Sequence, residues 1–194
     1  MADRSFTGGR FGIMVDGSEF LGFVKKMSGG VIKGELAAHQ LGPANLIKKN
    51  LATISFEDIT IEVGMGMSKG FYEWIRAAFD NAHVAKSGEM HACDFDGVSK
   101  SIREFRDAHI TEVTIPALDG SSKDNAYMTV KISPEQMNYL PGTEQDLDSM
   151  IAPATKKWLC SNFRLDIDGL PCERVAKIDS FTWEQKVVHD HIGT

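Results

Sequence analysis

Little in this 194-residue sequence invites covalent or metal chemistry. It carries three cysteines, Cys93, Cys160 and Cys172, which cannot all pair with one another, and no C-x-x-C spacing. Reduced thiols are the expectation, and the pattern argues against a zinc finger or a thioredoxin-like site. No stretch approaches about 18 uninterrupted apolar residues, so no transmembrane helix is expected. The opening MADRSFTGGRFG has no apolar h-region, which predicts no signal peptide and synthesis in the cytoplasm. Positive charge is also short. Lys plus Arg number 21 against 27 Asp plus Glu, a net charge of −6 with neutral histidine. Such a chain lacks the basic footprint of a nucleic-acid reader.

What is present is ordinary globular material: 42% apolar and 25% charged residues, enough to bury a core. The length fits one domain, or one domain and a piece of another.

Most of the chain has strand grammar. Phe11, Ile13 and Val15 share one face of an alternating run, and Asp16-Gly17 signals a turn. Phe20 to Met27 reads as the return strand, ended by Ser28-Gly29-Gly30. Val31 to Gly42 reads as a strand or extended arm stopped by Gly42-Pro43. Leu51 to Val63 alternates strongly, but its apolar face switches near Asp58, which predicts a bulge, a sheet change or a barrel corner. Further strands are expected over Met90–Phe95, Lys100–Ile115 and Ala126–Ile132, the last with Met128, Val130 and Ile132 on one face. Asn138 to Ala154 is acidic and weakly patterned, and reads as a linker.

One helix stands out. Ser68 suits an N-cap for Lys69 to Asn81, where Phe71, Ile75 and Phe79 recur every fourth residue and Trp74 and Ala78 widen the stripe. The helix is expected to plug the core of a sheet.

The chain also echoes itself. Asn162-Phe163-Arg164-Leu165-Asp166-Ile167-Asp168-Gly169 matches Arg10 to Gly17 at three of eight positions, with Leu for Ile and Ile for Val besides. Val175 to Ile178 then lines up with Val24 to Met27. The expected division is therefore a β domain over 1–140, a linker over 141–158, and the opening strands of an incomplete second copy over 159–194. The fold class is mainly β (α+β): a small antiparallel β-barrel or sandwich with one flanking helix, followed by that partial unit.

Reactive constellations are weak. Gly64-Met65-Gly66-Met67-Ser68-Lys69-Gly70 sits where a phosphate cradle would, but its third glycine is one place late for a dinucleotide fingerprint, and no Gly-Lys-Ser/Thr follows. A flexible turn and helix start is the expected role. His189-Asp190-His191 puts two histidines on one face of a strand without a nameable third ligand, and His91 with Cys93 has the same shortfall. Asp94 with Asp96, and Asp166 with Asp168, read as solvated carboxylates. Ser, His and Asp occur widely, but no spacing pairs them into a nucleophile and its base. Met65 and Met67 read as an adaptable contact patch or as core filler. No catalytic, cofactor-binding or metal residues are expected, and no cofactor.

The order of landmarks is more telling than any single one. Phe11-x-x-x-Val15-Asp16-Gly17 is followed by Gly42-Pro43-Ala44-Asn45, then Phe71-Tyr72-Glu73-Trp74-Ile75, then Phe105-Arg106-Asp107-Ala108, then Pro116-Ala117-Leu118-Asp119. Over residues 6–140 this resembles the tail-tube family of contractile phages and contractile injection systems. The resemblance implies a structural, non-catalytic β subunit that pairs strands with its neighbours. It implies self-association into a hexameric ring, or a trimer if a full tandem repeat exists. Stacked rings would form a tube lodged in a virion tail or tail-like particle, with sheath and baseplate subunits as partners. The alternative expectation is a β binding or adaptor module that recognises a partner protein or caps a tube.

Overall fold

A computed structural model describes residues 10–17, 19–41, 46–64, 66–150 and 158–186. Its strands are β1 (Arg10–Val15), β2 (Glu19–Val24), β3 (Lys26–Gly29), β4 (Ile32–Leu41), β5 (Leu46–Phe56), β6 (Ile59–Val63), β7 (Lys86–Cys93), β8 (Ser99–Ile115), β9 (Leu118–Asp119), β10 (Met128–Ser133), β11 (Gln136–Pro141), β12 (Lys177–Ile178) and β13 (Phe181–Glu184). The single α-helix among the described residues, α1, spans Lys69–Phe79.

Two antiparallel sheets share the long strand β8. The first runs β2-β1-β7-β8-β11 and the second β13-β8-β10-β6-β3. β8 changes sheets near Asp107, which takes φ 48° and donates its N–H to the Ser87 hydroxyl. The expected return strand Phe20–Met27 is in fact two strands. The chain breaks at Lys25, so that β2 stays with β1 while β3 crosses to β6. Facing side chains from both sheets form the core: Ile13, Val15, Leu21, Met90 and Phe105 against Ile59, Ile61, Val113, Val130 and Ile132.

The Asp58 switch marks a sheet change. β6 joins the second sheet, whereas β5 leaves the body and pairs with β4 as a separate two-stranded arm. Helix α1 packs on β2 and β8. Ser68 caps it by accepting the Phe71 N–H at 3.4 Å. Phe71, Trp74, Ile75 and Ala78 are buried, but Phe79 is 44% exposed, so the expected core stripe is corrected at its last turn. The helix stops there, two residues short of the expected Asn81, which itself lies at φ 57°.

The described part of the expected linker is packed: β11 pairs with β8 from Gln136 to Pro141, and Leu147 is fully buried against Met14 and Cys93 on the outer face of the first sheet; residues 151–157 of it lie outside the described residues. Arg10 holds Asp148 there through both carboxylate oxygens, at 2.6 and 2.7 Å. An acidic, sparsely apolar stretch is enough when one leucine meets a hole, and Gly12 supplies it, since a Cβ there would meet Leu147 at 2.9 Å. The echo of the first hairpin also fails locally. Phe163–Asp166 forms no strand, and Asp168-Gly169 closes only the Ile167–Leu170 bridge. Asp16 and Gly17 both adopt positive φ, 51° and 80°, whereas at the later turn only Gly169 does, at 78°.

Candidate functional site

The features that stand out from the sandwich are edges and an arm. β2, β3 and β11 each pair on one side only, and β4 and β5 pair only with each other, among the described residues. Unpaired strand edges are templates for further strands, so a protein either blunts them or uses them.

The base of the arm is built tightly. Gly29 and Gly30 follow one another at φ 79° and 68°, a conformation glycine reaches without strain. The Gly30 N–H donates to the Asp58 carbonyl at 3.2 Å, and the Glu57 N–H to the Val31 carbonyl at 3.0 Å. Lys33 meets the Glu57 carboxylate at 3.0 Å. Two side chains from the first sheet then reach across. Arg103 Nη1 donates to the Gly29 carbonyl at 3.1 Å, and the Tyr139 hydroxyl to the Gly30 carbonyl at 2.7 Å. The Arg103 guanidinium also sits 5.6 Å from the Tyr139 ring centre. Val31, Ile32 and Ile54 are exposed on the arm, and Tyr139 and Leu140 on the β11 edge beside its base.

A second built region is the C-terminal segment 158–186. Trp158 and Cys160 hold the 119–126 loop through the Ala126 and Asp119 N–H groups, and β12 pairs with β9. β13 lies along the β8 edge, where Trp183 meets Phe79 edge-on with centroids 4.9 Å apart. Sequence reasoning missed this strand because Phe181 to Glu184 is short and offers one alternation only.

The residues singled out from the sequence are scattered. His189, Asp190 and His191 lie outside the described residues, as does Met65, while Met67 fills the core. The glycine loop does start a helix, but the Glu19 carboxylate already lies over the first turn, where a Cβ on Gly70 would strike it. That position suits a carboxylate and leaves no room for phosphate. His91 and Cys93 are both buried. His91 Nδ1 bonds the Ser99 hydroxyl at 2.8 Å, while Nε2 stands 3.2 Å from a Glu89 oxygen without a hydrogen bond. Burial holds the His91 pKa below its ordinary value against the pull of Glu89. Burial, and then the Asp94 and Asp148 charges, push the Cys93 thiol up to about 11. Asp94 has a structural task, accepting the Asp96 and Val98 N–H groups at 3.0 Å in the β7–β8 turn. Asp166 is exposed with Arg164 3.8 Å away. No three potential metal ligands come together among the described residues, and no helix is long and apolar enough to cross a membrane. An open cleft of about 390 Å³ lies between Asp16, Glu89, Glu104 and Arg106.

A β-sandwich with an end-capping helix, free edges and a projecting two-stranded arm is a building-block architecture. The chain belongs to the T4-like virus tail tube protein family, whose gp19 model matches residues 8–138. It is thus a structural tube subunit by family. No curated protein matches the sequence. Solved structures with the same fold include a chain of the PVC sheath–tube complex of an extracellular contractile injection system, at TM-score 0.61 and 19% identity, covering 72% of this chain and 94% of that one. The tube-terminating cap of the anti-feeding prophage aligns at TM-score 0.60 and 17% identity, covering 73% and 94%. The PVC sheath/tube terminator aligns at 0.61 and 18%, covering 72% and 99%.

Proposed function

We propose that this protein self-associates into a six-membered ring and acts, without catalysis, as a ring or inner-tube subunit of a phage-tail-like particle. Sheath and baseplate subunits are its expected neighbours. The observation that carries this reading is the arm: β4 and β5 extend from the body and, among the described residues, pair with no other strand of their own chain. An extended hairpin with exposed Val31, Ile32 and Ile54 is stable when a neighbour covers it. A contact of one surface on a different surface of the next copy closes into a ring when the rotation allows.

In this reading residues 158–186 are an appendage of the same domain, since β12 and β13 pair with β9 and β8 of the first unit. One observation favours a second role, that of a cap or adaptor: the segment that carries β12 and β13 lies beyond the family-matched residues 8–138 and adds surface that a partner protein could use.

Size-exclusion chromatography with light scattering, followed by negative-stain imaging, tests the proposal. Rings of uniform size that stack support the tube role, and rings that remain single support the cap. A monomer at every concentration overturns both.

A further inference from the structure

The two ends of the second sheet have different fates. At one end β3 pairs only with β6 among the described residues, so no described strand lies along the other flank of Lys26–Ser28. At the other, β8 would present Glu112–Ile115 in the same way, but β13 lies along it, from Phe181 opposite Ile115 to Glu184 opposite Glu112. The free strand and the filling strand are each four residues long. Strand edges recognise one another through main-chain hydrogen bonds, whatever the side chains, so an occupied edge is out of reach.

The filling strand comes from outside the family-matched region, which ends at residue 138. It is fastened lightly. The Thr114 and Thr182 hydroxyls bond at 2.8 Å, and the Gln185 N–H donates to the Thr111 carbonyl at 2.7 Å. The Gln185 amide donates to Asn81 at 3.0 Å, and Trp183 leans on Phe79, itself partly exposed. Phe181 is 55% exposed. On the opposite flank of β8, by contrast, β10 seals Val130 and Ile132 completely. A four-residue edge strand with one half-buried anchor opens at far less cost than the core beneath it.

We propose that β13 is a displaceable occupant of the β8 edge, and that the occupant it competes with is the free β3 edge of a second copy of this chain. The proposal rests on the self-association reading above. β3 of one copy on β8 of the next is a head-to-tail contact, which repeats into a ring. While β13 sits on Glu112–Ile115, that contact cannot form. The segment therefore sets when a subunit accepts a neighbour.

Two variants pull the outcome in opposite directions. In the first, Thr114→Cys and Thr182→Cys lock β13 in place, with Cys160→Ser and Cys172→Ser to leave one natural thiol, the buried Cys93. In the second, the chain is ended after Ala176, which removes β12 and β13. Assembly is followed by light scattering and negative stain over a concentration series. The locked chain should fail to assemble when oxidised and recover on reduction. The shortened chain should assemble at roughly tenfold lower concentration or less than the full chain. Unchanged assembly of the oxidised, locked chain overturns the proposal, and so does a folded shortened chain that assembles no better. The locked chain keeps every element of the fold, so its result stands even if the shortened one misfolds. If the full chain associates at no concentration, the self-association reading itself falls, and this inference with it.

Discussion

The hydroxyl of Tyr139 donates a 2.7 Å hydrogen bond to the carbonyl of Gly30, joining the edge of one sheet to the root of the arm that leaves the other. The bond spans 109 positions of sequence and ties β11 to the segment that leads into β4. Tyr139→Phe keeps the ring under the Arg103 guanidinium and removes only this bond. It should cost about 1 kcal/mol of stability and speed amide exchange at Val31–Gly34 without altering exchange in β7. Equal exchange at the arm root in both proteins would show that the bond does not hold the arm.

Gly29→Ala attacks the same root through the backbone. Gly29 lies at φ 79°, and a Cβ there would collide with the Asp58 carbonyl. Left-handed strain and the clash together should cost more than about 2 kcal/mol. A urea midpoint like that of the natural chain would contradict the geometry.

Neighbouring aromatics of α1 should differ sharply. Trp74 is 2% exposed and its indole N–H donates to the Val84 carbonyl at 3.0 Å. Trp74→Ala should destabilise by about 3–5 kcal/mol. Phe79, which is 44% exposed and whose aromatic partner is Trp183, should cost about 1 kcal/mol when cut to Ala. Chemical denaturation of the two variants tests the ranking, and equal losses would place Phe79 in the core after all.

His91 should make the fold acid-sensitive. Its folded pKa lies below the ordinary 6.5 because burial disfavours the imidazolium. The unfolded chain then takes up a proton the folded chain refuses, so stability falls as pH drops through 6.5 and keeps falling until the folded pKa is reached. Melting temperature against pH should be shallower below neutrality for His91→Gln than for the natural chain. Parallel curves would assign the acid sensitivity elsewhere.

Cys93 should be inert in the native protein. With its thiol pushed to about 11 and no exposed surface, it carries little thiolate near neutral pH. Maleimide should label Cys160 and Cys172 in the folded chain and Cys93 only after denaturant is added, as mass spectrometry of the peptides would read. Prompt labelling of all three thiols would mean that Leu147 does not seal its pocket.

Local pattern revealed what local chemistry controls. The Asp16-Gly17 turn, the Ser68 cap and the alternation of Met128, Val130 and Ile132 each follow from neighbouring residues, and each is found in place. So is the face switch at Asp58, because a strand that exchanges its buried side must exchange its sheet. Phe79 was misread because helical spacing tells which residues share a face, not where the facing sheet ends. The 142–150 segment was misread because its burial depends on one side chain, Leu147, and on the glycine opposite it, 135 positions away.

The sequence by itself therefore determined a mainly β chain with one capped helix, its principal turns, and the landmark order that marks the tail-tube family. Periodicity, turn chemistry and capping are short-range, so they can be read without a fold. Only the tertiary structure decided that Lys25 splits a strand between two sheets, that Arg103 and Tyr139 clamp the arm, and that Phe181–Glu184 becomes an edge strand on β8. Those outcomes depend on which backbone edge remains unpaired once the core has closed, and no stretch of neighbouring residues records that.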